Sequence, residues 1–279
     1  MHAMNVYVSI DMEGVAGVVH VDQTRRTGHD YERARRWMTE EANATVAGAY
    51  EGGATAVLVN DSHGDMRNLL VDELDPRAEL ISGSLKPLSM VQGVGREFGV
   101  ALFVGYHAGA GSRAGILDHT YYGRVVARCR VGGRDWNETA INAAVCGTFG
   151  VPVALVTGDS AVCAQAKEFL PDVETVVVKD AITRYAARCL SPRAARERIR
   201  EGAARAVRFA AGGKLAPFRP DPPHRLEVDF ANAACADAAE LVPGTVRSGG
   251  VTTLYEAPDA GTLLQVLQAW TLLGASTLV

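Results

Sequence analysis

The amino-acid sequence predicts an α/β fold: a mainly parallel sheet flanked by helices, with a smaller C-terminal α+β portion. Three observations carry that reading. Strand-like and helix-like segments alternate through the first two-thirds of the chain. The strand-like segments are apolar nearly from end to end, as strands covered on both faces are. Polar residues then gather where those segments stop, at what would be the carboxyl edge of an open sheet, where ligands bind.

Asn5–Ile10 is a short β-branched run that stops at Asp11. Tyr31–Gly52 follows as a helix: Asp30 stands at the N-cap, Ala34, Met38, Ala42, Val46 and Ala49 share one face, and Gly52-Gly53 closes it. Ala54–Asn60, Val100–Gly105 and Val151–Thr157 read as further strands, ending at Asp61, at Tyr106-His107 and at Gly158-Asp159. Tyr121–Val131 reads as one or two strands with Gly132-Gly133 as a turn, and Asn137–Phe149 as a helix with Glu138 in its first turn. Pro192–Ala210 is an Arg-rich amphipathic helix, and the Gly- and Pro-rich stretch 211–223 reads as a linker. Beyond it lie a strand (Arg225–Phe230), a helix (Ala233–Leu241), a strand (Val251–Glu256) and a closing helix (Ala260–Leu273). The expected organisation is an α/β metal-binding catalytic domain over 1–210 and an α+β portion over 224–279, either separate or packed into the same domain.

Composition narrows the function classes. With 279 residues, 48% hydrophobic and 22% charged, the chain can bury a large core and is not a disordered segment. Its net charge of −4 gives no global basic field, so nucleic acid is not the expected partner. No apolar run approaches the ~20 residues of a spanning helix, and Met1–Tyr7 lacks the pattern of a secretory signal. Cys129, Cys146, Cys163, Cys189 and Cys235 are scattered and form no Cys-x-x-Cys pair. They read as small apolar residues in a reducing compartment, and the expected location is the cytoplasm.

The polar strand ends carry the chemistry. Asp11 and Glu13 are two apart, so in extended chain both carboxylates point to one side, where their repulsion favours a cation between them. His63 follows the second strand, His107 the third, and Glu138 opens a helix with Asn142 one turn on. Hard oxygen plus imidazole without thiolate suits zinc or a related divalent ion. Three carboxylates against one divalent ion leave −1, whereas two ions leave +1 for a hydroxide or an anionic substrate group, so charge counting favours two metals with Asp11 as the bridge. Each residue also has a plainer reading: a cap for Asp11 and Glu13, satisfied histidines near a sheet edge for His63 and His107, a dipole partner for Glu138, a surface residue for Asn142. Asp61 either orients His63 or caps the turn that follows. Gly14 and Gly17 point to close backbone approach or positive φ.

The segments SIDMEGVAG (9–17), ERARRWMTEEANA (32–44), VNDSHGDMRN (59–68), LISGSLKPLSMVQG (80–93), FVGYHAGA (103–110), ILDH (116–119) and WNETAINA (136–143) resemble, in the same order, the D-aminopeptidase family of dipeptide operons. The similarity runs from residue 4 to about 270. It implies an α/β fold, a binuclear zinc site and a homo-oligomer, a decameric ring with an internal channel. By position it makes Asp11 the bridging ligand, Glu13, His63, His107 and Glu138 the other metal ligands, and His119 the catalytic histidine. Lys86 matches a cation that either binds a carboxylate or is an exposed lysine before a proline turn. The sequence departs from the family pattern after Gly17, between His107 and His119, where it carries an extra residue, and at Asp135-Trp136-Asn137.

The implied activity is that of a zinc-dependent aminopeptidase acting on short peptides with an N-terminal D-amino acid (D-Ala-type), through a metal-bound hydroxide. His119 would serve the leaving amine or the developing oxyanion. Two other readings stay open on the residues alone: a two-metal hydrolase of another amide or of a phosphoester, and a ring-forming metal-binding protein without catalysis. The closing helix, with Leu263, Leu264, Val266, Leu267, Trp270, Leu272 and Leu273, offers the apolar surface such a ring would bury.

Overall fold

The computed structural model describes residues 4–278. In chain order, β1 (Met4–Ile10), β2 (Ala54–Asp61), β3 (Ala78–Ile81) and β4 (Phe98–Tyr106) start one sheet. β5 (Val126–Val131) and β6 (Arg134–Asp135) leave it to start another. β7 (Val153–Asp159), β8 (Glu174–Thr183) and β9 (Ala186–Cys189) return to the first, while β10 (His224–Phe230), β11 (Val246–Arg247) and β12 (Thr252–Ala257) complete the second. The first sheet has seven strands in the order β3-β2-β1-β4-β7-β8-β9. All its neighbours are parallel except the hairpin of β8 with β9. The second has five antiparallel strands, β11-β12-β10-β5-β6, so β10 pairs with β5 across the 211–223 stretch.

The helices are α1 (Val21–Thr24), α2 (Tyr31–Gly52), α3 (Glu138–Thr148), α4 (Ser160–Phe169), α5 (Pro192–Ala211), α6 (Ala233–Ala239) and α7 (Ala260–Ala275). The mainly parallel sheet flanked by helices is thus the observed fold. Side chains alternate across β1, and this decides what each face meets. Val6, Val8 and Ile10 pack with Ala34, Met38, Ala42, Val46 and Ala49 of α2 and with Ala195, Ile199 and Ala203 of α5. Tyr7 turns to the opposite core, with Phe103, Ile141 and the second sheet. Burying each such Val, Ile or Leu contributes about 1.5–3 kcal/mol. Gly48 permits the crossing of α2 over α5, because a Cβ there would stand 2.2 Å from the Arg200 carbonyl.

Several elements differ from the sequence expectation. Asp30 occupies the N-cap of α2 but its side chain makes no capping bond. Strand structure begins at Val126, not Tyr121, because Tyr121 turns its N–H to Glu138 at a positive φ. β3, β8, β9 and α4 are additional elements, and β8 brings Lys179 under the first loop.

The closing helix is also different in use. Leu263, Leu264, Val266, Leu267 and Trp270 are buried within the chain's own core, and Leu272 is the exposed apolar residue of that face. Most of the apolar stripe of α7 is therefore spent on the fold, with Leu272 left exposed and Leu273 half-buried. Among the described residues, no helix is long and apolar enough to cross a membrane.

Candidate metal centre

Sheet order converts separate strand ends into one site. β2 and β4 flank β1, so the residues that follow all three emerge side by side at the carboxyl edge. Asp11 and Glu13 leave β1, His63 lies beyond β2, and His107 directly follows β4. The ends of β1 and β4 cross at van der Waals limits. A Cβ on Gly14 would lie 2.0 Å from the Tyr106 carbonyl, and one on Gly105 (φ +65°) 2.2 Å from the Asp11 carbonyl. Glu138 comes from the other side: Asn137 caps α3 by accepting the Ala140 N–H (2.9 Å), which sets Glu138 at the first helical position.

The five sequence-predicted ligands converge, and all are buried. His63 Nδ1 stands 3.2 Å from Asp11 Oδ1 and 2.9 Å from Glu13 Oε2. His107 Nε2 stands 3.4 Å from Asp11 Oδ2 and 3.5 Å from Glu138 Oε2. The two oxygens of Asp11 thus address two different histidines. His119 joins them: its ring stacks on His107 at 4.0 Å between centroids. It groups with His107 and Glu138 closely enough to share an ion, as Asp11, Glu13 and His107 do.

Backbone carbonyls decide which ring nitrogens face inward. His63 Nε2 lies 2.7 Å from the Thr24 carbonyl, His107 Nδ1 3.0 Å from that of Ala108, and His119 Nδ1 2.8 Å from that of Leu117. A carbonyl only accepts, so each of these nitrogens carries the hydrogen. In the neutral ring the other nitrogen then presents a lone pair to the site. For His63 and His107 that lone pair meets carboxylate oxygens, an arrangement that repels unless a cation stands between.

The donor set fits zinc. Three of the four nitrogen–oxygen separations (3.2, 3.4 and 3.5 Å) are close to the edge of a tetrahedron with zinc–ligand bonds of ~2.0–2.1 Å, roughly 3.3 Å. Glu13 Oε2 is a buried acceptor without a hydrogen-bond donor. Without an ion, protons take the cation's place. Burial, with the Glu13 charge, pushes Asp11 up to about 7. Burial also pushes Glu13 upward, but the facing histidines outweigh it and hold Glu13 well below the usual carboxylate range. Burial pulls both imidazoles down, yet the Glu13 charge and the Asp11 and Glu13 contacts raise His63 well above its ordinary value. The Glu138 charge likewise lifts His107 to about 10. His119 moves the other way, lowered by burial and by the His107 charge.

The surroundings hold residues that the sequence pattern did not reveal. Lys179 is fully buried and donates to the carbonyls of Glu13 (2.5 Å), Val15 (2.8 Å) and Val18 (2.6 Å), fastening the loop that carries Asp11 and Glu13. Glu41 accepts the Ala16 N–H of the same loop at 2.9 Å. Lys179→Met should leave those carbonyls without donors and weaken zinc affinity ~10–100-fold, the scale for groups that orient ligands. Zinc titration of the purified variant checks this, and wild-type affinity would show that the loop holds itself.

Asp61 caps the turn after β2, accepting the N–H groups of Asn68 (2.5 Å) and Leu69 (2.8 Å), and so shapes the loop of His63 rather than bonding its ring. Asn142 is buried, not at the surface, and donates to the Tyr106 hydroxyl at 3.0 Å. The glycine-rich 109–119 loop is held by Asp118, which accepts the Gly111 and Ser112 N–H groups and pairs with Arg184 of the β8–β9 turn. A cavity of about 580 Å³ opens over the site, lined among others by Asp11, Glu13, His63, His119, Glu138 and Lys86.

Comparison with known proteins identifies the family and the fold. The model of the D-aminopeptidase family, peptidase family M55, matches residues 4–269. The chain is 42% identical over 271 residues to a D-aminopeptidase of Bacillus subtilis (strain 168), covering 95% of each. Its fold superposes with a TM-score of 0.94 on a solved structure from Bacillus subtilis described as the Zn-dependent D-aminopeptidase DppA, a self-compartmentalizing protease. The two share 39% sequence identity, and the match covers 99% of this chain and 100% of that one. With a family model matched over nearly the whole chain, a 42% identical relative and a superposing fold, the chain belongs to the D-aminopeptidase family, peptidase family M55.

Proposed function

We propose that this protein is a zinc-dependent aminopeptidase that removes an N-terminal D-residue, of the D-Ala type, from short peptides. One observation carries the reading: a buried cluster of carboxylates and imidazoles, close enough to share divalent ions, opens on a peptide-sized cavity in a chain of this family. The similar Bacillus subtilis proteins, described as a D-aminopeptidase and as Zn-dependent, support the substrate and the metal.

Asp11, Glu13, His63, His107 and Glu138 would hold two zinc ions per chain, with Asp11 between them. Zinc held there would supply Lewis acidity toward the scissile carbonyl and lower the pKa of the attacking water. His119 is the proton carrier of the reading. Its Nδ1–H is committed to the Leu117 carbonyl, so Nε2 presents the lone pair that accepts a proton and returns it to the leaving amine. The Asp118–Arg184 pair and the His119 N–H to Ala108 carbonyl bond (3.3 Å) keep this histidine over the cluster.

The test is hydrolysis of D-Ala and L-Ala p-nitroanilides before and after chelation, with elemental analysis of protein purified without chelators. The expected result is cleavage of the D-anilide, loss on chelation, recovery with zinc, and two zinc ions per chain. Activity indifferent to chelation overturns the metallopeptidase reading. A value of one zinc that added zinc does not raise overturns the paired site.

We further propose a closed homo-oligomer, a decameric ring, supported by the self-compartmentalizing relative. Light scattering at micromolar concentration should give a mass near ~300 kDa. A stable particle at the 29.6 kDa chain mass would refute the ring. The free cysteines, with Cys189 alone exposed, fit a reducing environment, and we place the protein in the cytoplasm on that ground.

A further inference from the structure

Two lysines are buried near the metal centre, and they differ in one respect. Lys179 delivers its three N–H groups to three backbone carbonyls and is complete. Lys86 is 7% exposed and donates to only two acceptors, Asn60 Oδ1 (2.7 Å) and the Asp61 carbonyl (2.6 Å). An ammonium has three N–H groups, so one is left over. Among the described residues no carboxylate pairs with Lys86, since Asp61 spends its oxygens on Asn68 and Leu69. Lys86 lines the cavity above the metal ligands, beside Ser84 and Ser89. It is not an exposed lysine before a proline turn. Its charge is held in place by Asn60 and Asp61, has no carboxylate partner among the described residues, and borders the cavity.

We propose that Lys86 binds the free C-terminal carboxylate of a short peptide substrate and selects peptide acids over blocked or longer chains. The inference rests on the aminopeptidase reading above. Position supports it. Asp61 pairs with Ile10, the residue before Asp11, so Lys86 Nζ lies on the order of 10 Å from the metal ligands by strand spacing. At ~3.3–3.6 Å per extended residue, a peptide of two or three residues spans that gap with its amine end at the metals and its carboxylate at Lys86. A charge-assisted hydrogen bond in a site screened from water is the strong kind, and losing it leaves a buried ammonium unpaired.

The test uses the zinc-loaded protein with D-Ala-D-Ala and its C-terminal amide. The wild type should cleave the acid with kcat/KM ~10–100-fold above the amide, chiefly through a lower KM. In Lys86→Met that ratio should collapse toward one, and Lys86→Arg should restore part of it. A wild type that treats acid and amide alike overturns the proposal with no variant needed. So does a Lys86→Met protein, zinc content normal, that slows both substrates equally, which would make Lys86 a support of the Asn60–Asp61 turn. If the wild type cleaves neither compound nor any D-anilide, the aminopeptidase reading itself fails, a result distinct from a changed ratio.

Discussion

Asp11→Asn should remove zinc from both halves of the centre and lower kcat/KM by ~10³-fold or more, the equivalent of several kcal/mol of lost Lewis-acid stabilisation. The expectation follows from where the two oxygens point. Oδ1 faces His63 and Oδ2 faces His107, so one carboxylate serves both sides. An amide keeps the size and the Met12 N–H bond (2.8 Å) but puts a donor where a ligand is needed and removes the shared charge. Glu13 makes its closest imidazole contact with His63 alone, whereas Asp11 contacts both histidines, so Glu13→Gln should cost less metal. Zinc titrations of the two variants decide the matter. Equal, small losses would reduce Asp11 to a cap.

The same substitution has an opposite effect on the metal-free protein. Asp11 is raised to about 7 in the folded chain, by burial first and Glu13 second, against an ordinary value of 3.8. A carboxyl whose folded pKa is raised favours the folded state at low pH, and that contribution is lost as pH climbs from the unfolded value to the folded one. At neutral pH the ion-free Asp11 is therefore a destabilising group. Asp11→Asn should raise Tm in the presence of chelator while lowering it in excess zinc, a crossover that a purely structural carboxylate would not give.

His119→Ala should keep its zinc and lose kcat by ~10²–10⁴-fold at nearly unchanged KM, the mark of an acid–base group that acts in the transition state. The geometry sharpens this test. His119 lies within ion-sharing distance of His107 and Glu138 and stacks on the His107 ring, so the extra residue in its loop has not carried it away from the site. A variant that loses zinc along with activity would make His119 a ligand. A variant with full zinc and full activity would make it a bystander.

The residues proposed for the centre were legible because strand ends and helix starts announce themselves locally. Asp11, His63, His107 and Glu138 each sit one or two positions beyond a recognisable apolar run or at the first turn of a capped helix. The helices of the first sheet were equally plain, α2 from its apolar face and closing glycines and α5 from its Arg-rich pattern. β8 and α4 were harder to read, because the short, mixed segment from 160 to 183 shows neither period clearly. The closing helix was legible only in part. Apolar residues on a helix show that a face is buried without showing whose surface buries it, and here it was the chain's own core.

The sequence by itself determined the class of fold, and it offered the candidate donors and the segments they stand on, since strand period, cap residues and side-chain type are properties of a few adjacent residues. Only the tertiary structure decided how those donors meet. Placing β2 and β4 on either side of β1 is what sets His63 and His107 against opposite oxygens of Asp11, and strand order in a parallel sheet is a matter of contacts far apart in the chain. The same holds for the inward-facing ring nitrogens, chosen by the carbonyls of Thr24, Ala108 and Leu117, and for the contrast between Lys179 and Lys86. A backbone carbonyl is common to every residue, so no amino-acid letter marks the one that will accept a particular hydrogen bond. That choice exists only once the chain has folded.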